Sequence, residues 1–207
     1  MRVRVSPSAP IMFNSTTILI TLSSLLALAS YVVYIHAILK GKAKPHRTTR
    51  FVLVIITALA TAALFAEKST VAIWIPTIFT VGSVVIFLLS IKYGMGGSSK
   101  TDILCLLVAL AGIVFWKITS NPLYGLYASI GADFVGQIPM LLKTYRYPET
   151  EAWPFYGIDV VAAMLSLIAL QEWKIGEYSY PLYIVFIDML TVILILRPKI
   201  LAYGFKK

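Results

Sequence analysis

Long apolar segments, separated by short charged or Gly/Pro-containing stretches, dominate the chain. Each is close to the roughly 20 residues that a helix rising about 1.5 Å per residue needs to cross a hydrocarbon layer of about 30 Å. The segments do not alternate polar and apolar residues, so helices are predicted rather than barrel strands. The pattern predicts seven membrane-spanning helices, at 17–39, 51–66, 71–91, 103–119, 122–144, 153–170 and 180–196. The second is short and is expected to include Thr48 and Thr49 at its start.

The composition supports this interpretation. Of 207 residues, 59% are hydrophobic and 13% charged, whereas a soluble domain has roughly 45–50% and 25%. These values indicate an integral membrane protein and exclude an ordinary cytosolic enzyme or a disordered chain. The single cysteine, Cys105, cannot form an internal disulfide. His36 and His46 are expected to be solvated or to contact lipid, so no metal site and no cofactor is predicted.

The distribution of Lys and Arg predicts the orientation. Seven spans would put 13 of the 18 basic residues on the side of the C-terminus and five on the side of the N-terminus. Because cytoplasmic loops carry the excess of positive charge, the N-terminus is expected outside a cell membrane and the C-terminus in the cytoplasm, with an organelle membrane left open. The net charge of +9 favours anionic lipids at the cytoplasmic face, rather than nucleic acid, as a partner.

Two parts of the chain align with each other. Residues 34–40 align with 137–143 at an offset of 103, and Pro76 aligns with Pro181 at an offset of 105. A three-helix unit that begins outside ends inside, so a second unit of the same orientation needs one additional span between them. The predicted organisation is an extracytoplasmic tail at 1–14, a three-helix bundle at 15–92, a flexible Gly/Ser linker with a linker helix at 93–121, a second three-helix bundle at 122–198 and a basic cytoplasmic tail at 199–207.

Gln137 and Pro139 lie near the end of the fifth span and precede a basic turn that contains Pro148. This segment resembles the PQ-loop motif, and with the 3+1+3 organisation the chain is similar to the PQ-loop and SWEET superfamily, also called MtN3. The family has Pro and Gln adjacent, whereas here their order is reversed with one residue between them. The resemblance implies a small-solute transporter whose bundles rock about proline hinges, here Pro139, Pro76 and Pro181.

Three carboxyl groups, those of Asp133, Asp159 and Asp188, fall inside predicted spans. Each would cost roughly 2.5–3.5 kcal/mol near the centre of a lipid-facing helix, so all three are expected to face the interior of the bundle. No Lys or Arg is predicted inside a span to pair with them, because Lys117 lies at a helix end. Two interpretations stay open: clasps between helices, bonded to hydroxyl groups, or groups that bind substrate or take up a proton.

Helical spacing groups these acids with other polar residues. On the fifth span Ser129, Asp133 and Gln137 share a face, and on the sixth Tyr156 and Asp159 share a face with Ala163 and Ser166. The neighbouring stripe of the fifth span, Ala128, Ala132 and Gly136, is expected to pack against another helix. The predicted substrate site comprises Asp133, Gln137, Ser129, Ser30, Tyr34, Asp188 and Asp159.

The function expected from these features is transport of a small solute, such as a sugar or an amino acid, by alternating access. Proton coupling through a buried Asp is a further expectation, and a homo-oligomer is left open. The alternative is a non-transporting receptor, assembly factor or scaffold of the same architecture. An enzyme is not predicted, because the chain has neither the paired motif of an intramembrane aspartyl protease nor spaced histidines for a metal-dependent hydrolase.

Overall fold

The computed structural model describes residues 15–66, 74–97, 99–118, 122–170, 173 and 175–204. Within these ranges the structure is all-helical, with seven α-helices, one short 3-10 helix and no strand. The helices are α1 (Ser15–Leu39), α2 (Arg47–Ala66), α3 (Trp74–Tyr93), α4 (Lys100–Ile118), α5 (Pro122–Arg146), α6 (Trp153–Ile168) and α7 (Ile175–Gly204), with the 3-10 helix at Pro148–Thr150.

The number and order of the predicted helices are confirmed, and their ends differ by a few residues. Helix α2 begins at Arg47, so Thr48 and Thr49 are helical as expected. Helix α7 extends beyond the predicted span at both ends, because Pro181 and Pro198 lie inside it rather than bounding it. In the part of the chain that the structure describes, two helical segments, Ser15–Leu39 and Tyr178–Leu201, are long and apolar enough to cross a membrane.

Six of the seven described helices have corresponding contacts, and we call α1–α3 the first triplet and α5–α7 the second. In the first triplet α3 contacts both α1 and α2, and in the second α7 contacts both α5 and α6. Between the triplets α1 packs on α6 and α2 packs on α5, while α4 packs on α5 and α2. The contacts of α1, α2 and α3 therefore correspond to those of α5, α6 and α7, in that order. The contacts of α4 have no counterpart.

Small residues allow α2 and α5 to approach closely. A Cβ atom added to Gly136 would lie 2.8 Å from Val52 Cγ1, which is too short for a normal contact. The Thr49 hydroxyl donates a 2.7 Å hydrogen bond to the Gly136 carbonyl across the same contact. The predicted packing stripe is thus confirmed for Ala132, which is 3% exposed, and for Gly136. The side chain of Ala128 lies outside the described residues.

The loops at one end of the bundle are bonded to one another. The Lys44 amide donates a 2.7 Å hydrogen bond to the Thr150 carbonyl, which joins the α1–α2 loop to the segment between α5 and α6. The Arg47 guanidinium donates to the carbonyls of Gly94 at 2.8 Å and Gly96 at 3.1 Å. The Gly-rich connection after α3 was predicted to be flexible, but these bonds hold its described residues against the start of α2.

Candidate functional site

A cavity of about 320 Å³ lies between the two triplets. Helices α1, α2, α3, α5, α6 and α7 all contribute side chains to its wall. Within the described residues the cavity is partly open, and we call open the end at which the partly exposed side chains of Ser24, Ser166 and Tyr180 lie. The opposite end, near the start of α2 and α6, is filled by the buried side chains of Arg50 and Phe155. Its size is within the range of roughly 300–1,000 Å³ typical of small-molecule sites.

All three predicted carboxyl groups line this cavity. Asp133 is 5% exposed and accepts a 2.5 Å hydrogen bond from the Tyr183 hydroxyl, with the side chain of Gln137 as a second partner. Asp159 forms a hydrogen bond with the Ser30 side chain. The predicted inward orientation is therefore confirmed, and two of the acids join neighbouring helices through their bonds: Asp133 joins α5 to α7, and Asp159 joins α6 to α1.

Asp188 differs from the other two acids. Its side chain lines the cavity and only 9% of the residue is exposed. The described part of the chain offers it no hydrogen-bond donor, and its nearest charged neighbours are Asp159, Asp133 and Arg50. A carboxyl in this position favours a proton or a donor that enters the cavity, such as water or a ligand.

The other predicted site residues are divided between the cavity and the packed core. Gln137 lines the cavity beside Asp133. Ser30 and Tyr34 do not line it, since both are fully buried. The Ser30 hydroxyl donates 2.8 Å to the Ala27 carbonyl and lies behind Asp159. The side chain of Ser129 lies outside the described residues.

Tyr31, one helical turn before Tyr34, is the α1 tyrosine that lines the cavity. Both residues point to the same side of the helix, but the cavity ends above Tyr34 because the ring of Phe155 stacks on the Tyr34 ring at 4.3 Å. Helical spacing predicted the inward face of α1 and could not predict how deep the cavity extends.

The predicted polar face of α6 is confirmed, since Tyr156, Asp159, Ala163 and Ser166 all line the cavity. The hydroxyl oxygen of Ser23 in α1 lies 2.7 Å from the hydroxyl oxygen of Ser166. Ser23 also donates a 2.8 Å hydrogen bond to the Ala162 carbonyl. These bonds fasten α1 to α6 near the open end.

The three proline residues lie in different positions relative to their helices. Pro139 is buried inside α5, and Pro181 lies inside α7 and lines the cavity. Each lacks the N–H that would bond to the preceding turn, so each is a weak point in its helix. Pro76 lies in the first turn of α3, where no helical hydrogen bond is lost. Its side chain lies outside the described residues.

The expectation that no basic side chain lies among the acids was wrong. Arg50 is 6% exposed and lines the inner end of the cavity. Its guanidinium carbon lies 4.6 Å from the centre of the Tyr34 ring, and it donates a 3.3 Å hydrogen bond to the Tyr156 hydroxyl. Arg50 was assigned to the cytoplasmic loop because it precedes the predicted span by one residue. Since α2 begins at Arg47, Arg50 is in its first turn and points into the bundle.

A buried polar network closes this inner end, and we call it the closed-end network. It consists of Tyr34, Arg50, Lys143, Glu151 and Tyr156. The Glu151 carboxylate pairs with Lys143 and accepts hydrogen bonds from Tyr34 at 2.7 Å and from Tyr156 at 3.0 Å. The Glu151 and Lys143 side chains are 0% and 4% exposed. Because Tyr34 belongs to α1, Lys143 to α5 and Tyr156 to α6, the network joins the two triplets.

His46, expected to be solvated, is buried at the same end. It is 3% exposed, its Nε2 atom lies 3.5 Å from Asp102 Oδ1, and its Nδ1 atom has no hydrogen-bond partner in the described structure. Burial lowers the pKa of His46 to about 4, and the Asp102 carboxylate offsets only part of this effect. The imidazole is therefore neutral at pH 7. A Cβ atom on Gly96 would overlap it at 2.2 Å, so the glycine is needed for this contact.

Among the described residues, no group of three or more His, Cys, Asp or Glu side chains is arranged to hold a metal ion. Comparison of the chain with protein-family models, curated proteins and solved structures gives no match. The functional argument therefore rests on the cavity and the closed-end network.

Proposed function

We propose that the chain is an integral membrane protein with seven spans in a parallel 3+1+3 arrangement. The supporting observations are the two triplets with equivalent contacts and the apolar side chains that face outward from them. Leu25 and Val32 of α1 are 59% and 63% exposed. Leu104 and Leu107 of α4 are 62% and 58% exposed. So much exposed aliphatic surface is costly in water and is expected against lipid.

In this arrangement the closed end of the cavity is cytoplasmic and the open end faces outside. Thirteen of the 18 basic residues belong to the closed-end side by sequence, which is the distribution that cytoplasmic loops prefer. The N-terminus is then outside and the C-terminus is cytoplasmic. Anionic lipids are the expected partner of the exposed basic residues at this end, such as Lys42.

The function that the geometry supports best is transport of a small solute by alternating access. One observation carries the proposal: a cavity lined by acids lies between two similar triplets, open at one end and sealed at the other by a network that joins them. A site between two rigid units can be exposed to either side if the units rock, as in transporters built from repeats. The opposite state requires the hydrogen bond between Tyr34 and Glu151 to break, so that α1 separates from the segment at the start of α6.

Two of the prolines supply bending points for this motion. Pro139 lies in α5 between the cavity and the closed end, and Pro181 lies in α7 beside the cavity. A helix bends at such positions at lower cost, because one backbone hydrogen bond is already missing. The resemblance to the PQ-loop and SWEET superfamily leads to the same expectation.

A scaffold of the same architecture would need no polar cavity. A scaffold is expected to have a packed, dry core, whereas this cavity contains three carboxyl groups and one guanidinium. Asp133 and Asp159 have partners on neighbouring helices, but Asp188 has no hydrogen-bond partner among the described residues. We therefore favour transport over a purely structural role.

The test is solute flux in proteoliposomes that contain the purified protein, screened with a set of radiolabelled metabolites. A transported solute is expected, and Asp133→Asn is expected to abolish its flux while the protein still inserts and folds. The matched control is Glu149→Gln, which removes an exposed carboxyl outside the cavity and should leave flux unchanged. Loss of folding in Asp133→Asn would favour the clasp interpretation, and unchanged flux in that variant would contradict the proposed site.

A further inference from the structure

Acidic groups outnumber basic groups in the wall of the cavity. Its wall contains the carboxyl groups of Asp133, Asp159 and Asp188 and a single cationic group, the Arg50 guanidinium. Just beyond the inner end, Lys143 and Glu151 compensate each other as an ion pair. A ligand that entered with positive charge would reduce the repulsion among the three acids. A negatively charged ligand would increase it.

Asp188 supplies a position for that charge. It is nine-tenths buried and lines the cavity, yet the described structure gives it no hydrogen-bond donor. Asp133 already has donors in Tyr183 and Gln137, and Asp159 has the Ser30 hydroxyl as a neighbour. An ammonium group has three N–H donors and no acceptor, so it is complementary to such a carboxylate.

Aromatic rings form a large part of the same wall. Tyr31, Phe155, Tyr156 and Tyr180 all line the cavity. Ring faces attract cations within about 6 Å of the ring centre, and the attraction is larger when water is excluded. At the inner end the protein already uses this interaction for its own cation, since the Arg50 guanidinium carbon lies 5.5 Å from the centre of the Phe155 ring.

The spacing of the acids favours an organic cation over a bare metal ion. The three aspartates belong to three different helices and, within the described residues, do not form a group arranged to hold a metal. An elongated molecule can place one ammonium group at Asp188 and still reach the other acids or the aromatic rings. A small ion has no such reach.

We propose that the cavity binds organic ammonium ions, with the Asp188 carboxylate receiving the ammonium group and the neighbouring aromatic rings enclosing its carbon chain. This inference rests on the proposed function, because it assigns a substrate class to the same site. It predicts preference by charge among molecules of similar size.

The first experiment measures binding of compounds with equal chain lengths to the purified full-length protein in detergent by isothermal titration calorimetry. The probes are 1,5-diaminopentane, 5-amino-1-pentanol, 1,5-pentanediol and glutarate. The two amines are expected to bind at least tenfold more tightly than the diol, a difference of about 1.4 kcal/mol. Glutarate is expected not to bind. Equal binding of the diol and the amines, or tighter binding of glutarate, would overturn the proposal.

The second experiment compares variants. Asp188→Asn keeps the size of the side chain and removes its charge, so amine affinity should fall at least tenfold. Asp188→Glu keeps the charge, so its affinity for amines should fall less. The control Glu149→Gln should bind amines with the affinity of the wild type. An Asp188→Asn protein that folds and binds amines normally would refute the role of Asp188. If that variant does not fold, the preference of the wild type for amines over the diol still decides the ligand class.

Flux measurements separate failure of this inference from failure of the proposed function. Transport of a neutral or anionic solute without amine binding would refute the inference and leave transport standing. Amine binding by a protein that neither moves any solute nor opens its closed end would support the inference and refute transport.

Discussion

Substitution of Glu151 by Gln tests the closed-end network most sharply. The change keeps the side chain nearly the same size and leaves one oxygen to accept a hydrogen bond. It removes the charge that compensates Lys143, whose side chain is 4% exposed. The Lys143 ammonium then stays buried without a counter-charge, although the Lys44 carbonyl still accepts one of its hydrogen bonds.

The expected cost follows from this burial. Breaking a buried ion pair by removing one partner costs about 3–5 kcal/mol, because an uncompensated charge is left inside the protein. The double variant Lys143→Met, Glu151→Gln removes both charges. It should lose only about 1–2 kcal/mol, for the hydrogen bond to Lys44 and those from the two tyrosines. The double variant is therefore expected to be about 2–3 kcal/mol more stable than Glu151→Gln alone, and less destabilised than the sum of the two single variants.

The assay is reversible denaturant unfolding in detergent micelles of the wild type, both single variants and the double variant. Glu149→Gln serves as control, because Glu149 is exposed and its loss should change stability by no more than about 0.5 kcal/mol. A loss below about 1 kcal/mol in Glu151→Gln, or a double variant that is as unstable as the sum of the singles, would refute the ion-pair account.

Two further predictions concern packing and pH. Gly136→Ala should destabilise the protein by about 1–3 kcal/mol, because its Cβ would lie 2.8 Å from Val52. The control Gly131→Ala, whose Cβ would meet open space, should be neutral or stabilising by up to about 1 kcal/mol. Equal effects of the two substitutions in thermal unfolding would contradict the α2–α5 contact. His46, whose pKa is lowered from 6.5 to about 4 by burial, should make stability fall as the pH drops from about 6.5 towards 4, by up to roughly 3 kcal/mol. The contribution of His46 to the free energy of unfolding is fully present above pH 6.5, because folding favours the neutral imidazole. A His46→Gln variant with the same pH dependence as the wild type would contradict this assignment.

Sequence reasoning predicted the helices and the inward faces well, because both follow from periodic patterns. The lengths of the apolar segments fixed the seven helices, and the spacing of Tyr156, Asp159 and Ser166 correctly predicted a face that lines the cavity. The small stripe around Gly136 likewise predicted a close helix contact.

The closed-end network could not be predicted in the same way. Lys143, Glu151 and Arg50 lie near span ends, where charged residues are normally solvated. The sequence used Lys143 and Arg50 to predict orientation and did not indicate the burial of any of the three. Their burial depends on loops far apart in sequence that come together, such as the contact between Lys44 and Thr150. No periodicity along one helix contains that information. The nearest signal was the alignment of the two repeats, which brings their loops to the same end.

The most direct test of alternating access is the distance between two spin labels at the closed end, measured by pulsed electron paramagnetic resonance. Lys42→Cys and Tyr147→Cys, both exposed in the structure, carry the labels in a Cys105→Ser background. We predict a dominant short distance in the labelled protein and a second, longer one that becomes more populated when Glu151→Gln is added. A single distance, unchanged by that substitution in a folded protein, would contradict the account.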